Sequence, residues 1–161
     1  MKVAVVMGSK SDLPVLNTTI NTLKDFGIEV DAHIMSAHRT PDKAHDFAAG
    51  AESNGIDVII AAAGKAAHLA GVLAAYTVLP VIGLPIKSST MDGLDSLLST
   101  VQMPPGIPVA TVAINGGLNA ALLAVQILSL KYSDLKQELH DYKKSMADKV
   151  IAADKKLQEE L

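Results

Sequence analysis

Five short runs of apolar residues recur along the chain, and a stretch with helical character separates each run from the next. The predicted strands cover residues 3–7, 28–34, 56–63, 80–84 and 109–114. Strands that are almost continuously apolar are typical of parallel sheets, because helices cover both of their faces. Right-handed crossovers between such strands give a three-layer, doubly wound α/β fold. We therefore expect a parallel sheet in the flavodoxin-like order 2-1-3-4-5.

Capping residues mark where the predicted helices begin. Asp12 is the expected N-cap of a first helix over 13–26, with Pro14 in its first turn. Thr40 is expected to cap a second helix that starts at Pro41. An alanine-rich helix that ends near residue 76, followed by helices over 94–101 and 118–130, completes the predicted α/β unit.

The charged tail, residues 133–161, has a different pattern. Its apolar residues are three and four positions apart, which predicts one long helix with a narrow apolar stripe; they are Leu135, Leu139, Tyr142, Met146 and Val150. We expect a catalytic α/β unit over 1–132 and a helical extension of the same domain over 133–161. Two placements stay open: the helix folds back on its own domain, or it packs against a neighbouring subunit.

Length and composition exclude several classes of protein. At 161 residues the chain fits one domain, and the absence of cysteine excludes disulfides, thiol catalysis and cysteine-ligated zinc. A net charge of −3, without a basic cluster interleaved with aromatic residues, argues against nucleic-acid binding. No apolar run reaches the roughly 18 residues of a membrane span, and the first residues are too polar for a signal peptide. We expect a cytoplasmic protein without nucleic-acid or membrane partners.

Polar residues and glycines gather where the predicted strands end. The loops that follow the five strands contain the segments GSKSD (8–12), SAHR (36–39), AGKAAH (63–68), IKSSTMDG (86–93) and INGGLN (114–119). The loops before the strands are ordinary turns. Because ligands of open parallel sheets bind beyond the carboxyl ends of the strands, this asymmetry predicts a site at that edge.

The first of these loops allows two interpretations. Its hydroxyl groups and the free amides of a helix start are suited to hold a phosphate, with Ser9, Ser11 and Asp12 as the candidate residues. The loop matches neither dinucleotide-binding nor P-loop spacing. Taken alone, it favours simple capping of the following helix by Ser11 or Asp12.

The second and third loops supply the residues with acid–base and anion-binding chemistry. Arg39 has the geometry to bind a phosphate through two hydrogen bonds, and His38 offers an imidazole, the side chain best suited to transfer protons near neutral pH. A solvated turn explains this pair equally well. Gly64 and Lys65 precede a second histidine, His68, at the start of the alanine-rich helix, where a partly buried surface role is the ordinary interpretation.

Other kinds of site find little support. The remaining histidines, His33, His45 and His140, receive no predicted role, and no spacing of His, Asp or Glu resembles a metal site. The serines, including Ser36, lack the context of a nucleophile elbow. The residues alone therefore indicate a phosphorylated, hydroxyl-bearing ligand beside a histidine acid–base group, and they leave the reaction open.

Five segments, in order and at matching spacing, resemble the bacterial N5-carboxyaminoimidazole ribonucleotide mutase family of purine biosynthesis. They are VMGSKSD (6–12), SAHRTPD (36–42), AAHLAGVLAA (66–75), LDSLLSTVQMPPGIPVATVAI (94–114) and NAALLAVQIL (119–128). The resemblance extends from residue 3 to residue 130. It implies a flavodoxin-like fold assembled as a homo-octamer, and transfer of a carboxyl group from the exocyclic nitrogen to C4 of an aminoimidazole ribonucleotide without metal, ATP or biotin.

The resemblance also implies roles for individual residues. Ser9, Asp12 and Arg39 match substrate-binding positions, and His38 matches the general acid–base. His68 matches a histidine of the mutase branch that the CO2-using carboxylase branch lacks in this loop. The complete set of predicted substrate-binding residues is Ser9, Ser11, Asp12, Ser36, Arg39, Gly64, Lys65 and His68, with His38 as the catalytic residue.

Three features depart from the usual pattern of this family. Lys65 stands where glycine is usual, and Ala70 stands where proline is usual. The segment INGG (114–117) is shorter than the common IGKAG form. We hypothesise that Lys65 restores the cation that the shorter loop lacks.

Two other functions compete with the mutase. The first is direct carboxylation of aminoimidazole ribonucleotide. The second is a module that binds a nucleotide or a flavin without catalysis, and the aromatic share of 3% gives a flavin few rings to stack on.

Overall fold

The fold is taken from a computed structural model that describes residues 1–89 and 91–161. Thr90, which belongs to the predicted polar loop 86–93, lies outside the described residues. The described strands form one parallel sheet in the order β2-β1-β3-β4-β5, which confirms the flavodoxin-like prediction. They are β1 Lys2–Met7, β2 Glu29–Ile34, β3 Val58–Gly64, β4 Val81–Ile86 and β5 Ala110–Thr111.

Helices cover both faces of this sheet. They are α1 Leu13–Asp25, α2 Pro41–Gly50, α3 Leu69–Ala74, α4 Leu94–Val101, α5 Gly117–Leu128 and α6 Asp134–Glu160. One buried cluster joins α1, α5 and the start of α6 to one face of the sheet. A second cluster joins α2 and α3 to the other face.

The two clusters divide the side chains of the central strands by alternation. In β1, Val3 and Val5 belong to the α1–α5 side, whereas Ala4 and Val6 belong to the α2–α3 side, and all four are fully buried. Alternate side chains of a strand point to opposite faces, so a strand buried on both faces must be apolar throughout. This requirement explains why the sequence showed unbroken apolar runs.

The fifth strand is shorter than the predicted span 109–114. Only Ala110 and Thr111 pair with β4 in a regular ladder. The amide of Val112 still donates to the carbonyl of Gly83 (3.0 Å), and that of Asn115 to the carbonyl of Pro85 (2.9 Å). The chain therefore follows β4 to its end as an interrupted edge strand, which turns at Asn115 with a left-handed φ of 56°.

The alanine-rich helix is also shorter than predicted. It begins at Leu69, ends at Ala74, and has His68 at its N-cap position rather than in its first turn. The loop 65–68 is consequently longer, and it remains at the carboxyl edge of the sheet beside the cavity described below.

The long C-terminal helix forms as predicted, but only its beginning contacts the rest of the chain. Leu135 is buried, and Leu139 and Tyr142 are partly buried against the α1–α5 side of the core. Every residue from Lys143 onward is exposed. The fold-back interpretation is therefore correct for the first turns, and the later part of the apolar stripe has no partner in its own chain among the described residues. Within residues 1–89 and 91–161, none of the helices combines the length and hydrophobicity that a membrane crossing requires.

Candidate active site at the carboxyl edge of the sheet

A cavity of about 720 Å³ opens at the carboxyl ends of the first four strands. Its walls include all nine site residues predicted from the sequence: Ser9, Ser11, Asp12, Ser36, His38, Arg39, Gly64, Lys65 and His68. Lys87 and Ser88 also line it. Sequence reasoning placed their loop at this edge but did not select the two residues, because a polar loop of that composition has no distinctive spacing.

The loop after β1 is organised by Ser9. Its hydroxyl accepts the amide of Ser11 (3.3 Å), and its own amide donates to the Asp12 carboxylate (3.2 Å), which together form a capping box on a 3₁₀ turn over Lys10–Asp12. The Ser11 hydroxyl lies 2.9 Å from the Ser9 oxygen and 3.2 Å from the Asp12 carboxylate. Asp12 occupies the predicted N-cap position of α1, but its carboxylate accepts the Ser9 amide and makes no capping bond to that helix.

Burial raises the pKa of the Asp12 carboxyl, and the hydrogen bonds from Ser11 and Ser9 partly offset this effect. The Asp12 side chain is buried, which is unusual for a carboxyl group. A buried carboxylate held by two neighbours has a fixed orientation, so it is suited to accept hydrogen bonds from ligand hydroxyls.

The loop after β2 presents Arg39 to the loop after β1. Thr40 fixes the turn: its hydroxyl accepts the amide of Ser36 (2.9 Å) and donates to the Ser36 carbonyl (3.0 Å). Thr40 occupies the predicted N-cap position before Pro41, but its side chain closes the loop and makes no capping bond to α2. The Arg39 amide donates to the Ser36 hydroxyl (3.2 Å), and its guanidinium donates to the Gly8 carbonyl (3.2 Å).

The two predicted histidines contact each other directly. Nε2 of His38 lies 2.9 Å from Nδ1 of His68, and the ring planes meet at 83°. A hydrogen bond at this distance between two imidazole nitrogens contains one proton, so the tautomer of one ring determines that of the other. This contact was not predicted from the sequence, because the two residues belong to loops after different strands.

The loop after β3 has a strained backbone at Lys65, whose φ is 58°. The left-handed conformation costs a residue other than glycine about 1–2 kcal/mol. The Lys65 side chain is exposed to the cavity.

On the neighbouring loop, after β4, Lys87 pairs with Asp92 (3.0 Å), and its amide donates to the Asn115 side chain (2.9 Å). Through this hydrogen bond to Asn115, the shortened segment INGG holds the start of the loop after β4.

A more open groove of about 520 Å³ adjoins the cavity between α3 and α4. Its walls are mainly apolar and include Val72, Tyr76, Leu98 and Met103, while His68 lines both the groove and the cavity. Among the described residues, no group of three or more His, Asp or Glu is arranged to hold a metal ion.

The comparison with protein families agrees with the motifs and the geometry. The sequence model of the family described as AIR carboxylase matches residues 2–149. The chain belongs to the AIR carboxylase family. The match includes all nine nominated residues of the cavity.

Individual members of the AIR carboxylase family show how close the relationship is. The N5-carboxyaminoimidazole ribonucleotide mutase of Pyrococcus abyssi is 59% identical over 90% of this chain and 83% of its own length. The crystal structure of Treponema denticola PurE superposes with a TM-score of 0.86 at 33% identity, covering 97% of this chain and 98% of the other. The phosphoribosylaminoimidazole carboxylase of Candida albicans is 51% identical over 98% of this chain, which spans only 28% of that protein.

Proposed function

We propose that this chain is an N5-carboxyaminoimidazole ribonucleotide mutase that moves a carboxyl group from the exocyclic nitrogen to C4 of the imidazole in purine biosynthesis. The identity of 59% with the Pyrococcus abyssi mutase carries this proposal. The cavity adds support, since it combines an arginine, several hydroxyls, a buried carboxylate and two histidines in contact.

Arg39, Ser9 and Ser11 bind the 5′-phosphate in this proposal. The guanidinium uses one nitrogen on the Gly8 carbonyl, which holds it beside the two serine hydroxyls and leaves its other donors for phosphate oxygens. Asp12 accepts hydrogen bonds from the ribose hydroxyls. Ser36 and Gly64 line the cavity close to the bound nucleotide.

His38 supplies the acid–base chemistry. It donates a proton to the exocyclic nitrogen as the carbamate C–N bond breaks, so that this nitrogen leaves as an amine and CO2 is released in the cavity. C4 then forms a bond to the carbon of CO2, and the imidazole removes the C4 proton. The proton given in the first step is recovered in the last, so the reaction is an isomerisation. A group that acts as acid and then as base needs a pKa near the working pH, as histidine has.

His68 orients this imidazole. Its hydrogen bond at 2.9 Å determines which nitrogen of His38 carries the proton and limits rotation of the ring. Closure of the cavity around the ligand keeps the released CO2 from escaping.

The decisive experiment is a turnover assay with the carbamate nucleotide. We expect His38→Asn to lower kcat by about 10²- to 10⁴-fold, the usual contribution of general acid–base catalysis. His68→Asn retains a hydrogen-bonding group near His38, so its loss is smaller. The matched control is His140→Asn, an exposed position on α6, which leaves kcat unchanged. A His38→Asn variant with wild-type kcat contradicts the proposal.

Direct carboxylation of aminoimidazole ribonucleotide is the second candidate function, because a fungal carboxylase is 51% identical over a quarter of its length. The two functions differ in substrate. Product formed from bicarbonate and the unsubstituted ribonucleotide, at a rate matching that with the carbamate, favours the carboxylase.

We also propose that the enzyme assembles as a homo-octamer, as the family resemblance implies, and that it works in the cytoplasm, as the composition of the sequence predicts. Exposed apolar side chains support self-association: Tyr76 and Leu98 border the groove, and Val150, Ile151 and Leu157 lie on the free part of α6. Large apolar side chains exposed on a groove and along a free helix are typical of surfaces that contact another protein chain.

A further inference from the structure

Lys65 combines a strained backbone with a cationic side chain in the cavity. Its φ of 58° lies in the region where glycine is normally found, and its side chain is exposed. The preceding residue, Gly64, packs closely against β4: a Cβ there would lie 3.2 Å from the carbonyl oxygen of Ile86. A lysine in such a conformation persists when the surrounding structure enforces it, and such positions concentrate at ligand-binding sites.

The other two cations of the cavity have partners within the protein. The Arg39 guanidinium donates to the Gly8 carbonyl, and the Lys87 ammonium pairs with Asp92. In the described part of the chain, Lys65 makes no ion pair or side-chain hydrogen bond. Its ammonium group is therefore available to a ligand without first breaking a contact.

The positions of these cations divide the cavity. Arg39 contacts the loop after β1, beside Ser9 and Ser11. Lys65 lies on the loop after β3, three residues before His68, whose ring contacts that of His38. The Arg39 guanidinium thus lies at the serine loop, whereas Lys65 belongs to the loop that carries His68.

We propose that Lys65 binds the migrating carboxylate of the substrate and so determines the preference for carboxylated over uncarboxylated ribonucleotides. This inference rests on the proposed function. The ligand of that reaction has two anionic groups, of which Arg39 and the serines bind the phosphate. The carboxylate lies on the heterocycle beside the histidines. Arg39 follows His38 in the sequence, but its guanidinium donates to the Gly8 carbonyl at the serine loop. The cation left for the carboxylate is Lys65, on the same loop as His68. A charge-assisted hydrogen bond from an ammonium holds this group in both its nitrogen-bound and its carbon-bound position.

The test compares two nucleotides that differ only in the carboxylate. Isothermal titration measures the binding of 5-aminoimidazole ribonucleotide and of its 4-carboxy derivative, in the His38→Asn background to prevent turnover. We expect Lys65→Met to weaken binding of the carboxylated nucleotide about 10- to 100-fold, as loss of a charged hydrogen bond does, and to leave binding of the uncarboxylated one unchanged. Lys65→Arg retains most of the preference. Lys24→Met, an exposed position on α1 outside the cavity, is the matched control.

A second variant separates binding from folding. Lys65→Gly removes the charge and relieves the left-handed strain, so its thermal midpoint is expected to rise while its preference for the carboxylated nucleotide falls as in Lys65→Met. If the Lys65 variants bind both nucleotides as the parent does, or lose affinity equally for both, the inference about Lys65 is overturned and the proposed function stands. If neither nucleotide binds to the protein with Lys65 intact, the proposed function itself fails.

Discussion

The Asp57 carboxylate joins the amino ends of two strands to the junction between α5 and α6. It accepts hydrogen bonds from the Lys2 amide (3.1 Å), the Lys131 ammonium (2.9 Å) and the Tyr132 hydroxyl (3.3 Å). Burial alone would raise the pKa of this carboxyl. The hydrogen bonds from Lys131, Lys2 and Tyr132, with the positive charge of Lys131, outweigh burial and hold the pKa below its ordinary value of 3.8.

Because folding lowers this pKa, Asp57 stabilises the protein above the pKa of the unfolded chain, and the contribution is lost as the pH falls through the folded-state pKa. We expect Asp57→Asn to lower the free energy of unfolding by about 1–2 kcal/mol at neutral pH. The gap between variant and wild type should close as the pH falls below about 3.8. Urea unfolding followed by circular dichroism measures both effects.

Asp46→Asn is the matched control for this prediction. Asp46 pairs with the neighbouring His45 at 2.9 Å, and its side chain is 80% exposed. A surface pair of this kind contributes little, so we expect a change within about 0.5 kcal/mol. A gap between Asp57→Asn and wild type that stays constant into acid would mean that the charge of Asp57 does not stabilise the fold.

For single residues, the sequence predicted which side chains line the cavity better than it predicted the contacts among them. The loops after the strands were recognisable because glycine, serine and histidine are unusual neighbours of apolar strands. The contact between His38 and His68 was not predictable, since 30 residues separate them and only the parallel order of β1, β2 and β3 brings their loops together. The Asp57 cluster was missed because an aspartate beside an Asn-Gly turn has the ordinary composition of a loop.

At the scale of elements, the contact between α1 and α5 depends on Gly117. The Thr19 hydroxyl donates to the Gly117 carbonyl at 2.9 Å, in a buried contact between the two helices. A Cβ on Gly117 would lie 2.7 Å from the Val15 carbonyl oxygen and 2.9 Å from the Thr19 hydroxyl. The closest approach of the helices thus requires a residue without a side chain.

We expect Gly117→Ala to lower the free energy of unfolding by about 1–3 kcal/mol, because the helices must separate or shift to admit the methyl group. The control is Gly50→Ala in the last position of α2, where the nearest atom to a new Cβ is the flexible Asn54 amide at 3.3 Å. That change removes a glycine from a helix and should be neutral or stabilising by up to about 1 kcal/mol. Thermal unfolding of both variants measures the difference, and equal midpoints would show that α1 and α5 tolerate the methyl group.

The strand order and the alternation of elements were predictable because both follow from burial on two faces and from crossover handedness. The exact lengths were not. Residues 112–114 look like strand by composition, yet β5 ends at Thr111 because it lies at the edge of the sheet and the chain must turn at Asn115. The alanine-rich segment 66–76 has high helix propensity throughout. Its first residues nevertheless belong to the loop after β3, beside the cavity, and the helix begins only at Leu69.

At the scale of the whole molecule, the free part of α6 leaves the single chain with unpartnered apolar surface. Val150 is 70% exposed and Ile151 is 66% exposed. The sequence pattern predicted the helix, but it did not distinguish the docked turns from the free ones, because the apolar spacing is the same in both. Only the core contacts of Leu135, Leu139 and Tyr142 make that division.

We expect the full chain to sediment as a homo-octamer. A chain truncated after Lys144 keeps the docked turns and loses Val150, Ile151 and Leu157, so it should fold with a native circular dichroism spectrum and assemble more weakly. Sedimentation velocity over a range of concentrations compares the two. A monomeric full chain contradicts the oligomer, and unchanged assembly of the truncated chain removes the free part of α6 from the interface.

Because aromatic residues are scarce, the intrinsic fluorescence of the protein comes from a few tyrosines at known places. There is no tryptophan, and of the three tyrosines two lie where α6 docks: Tyr132 bonds to Asp57, and Tyr142 packs against Phe26 with ring centroids 5.9 Å apart. The third, Tyr76, meets the His45 ring edge-on at 4.5 Å, on the opposite layer beside the groove. Tyrosine fluorescence of the unlabelled protein therefore arises at two places only, the docking of the last helix and the surface next to the groove.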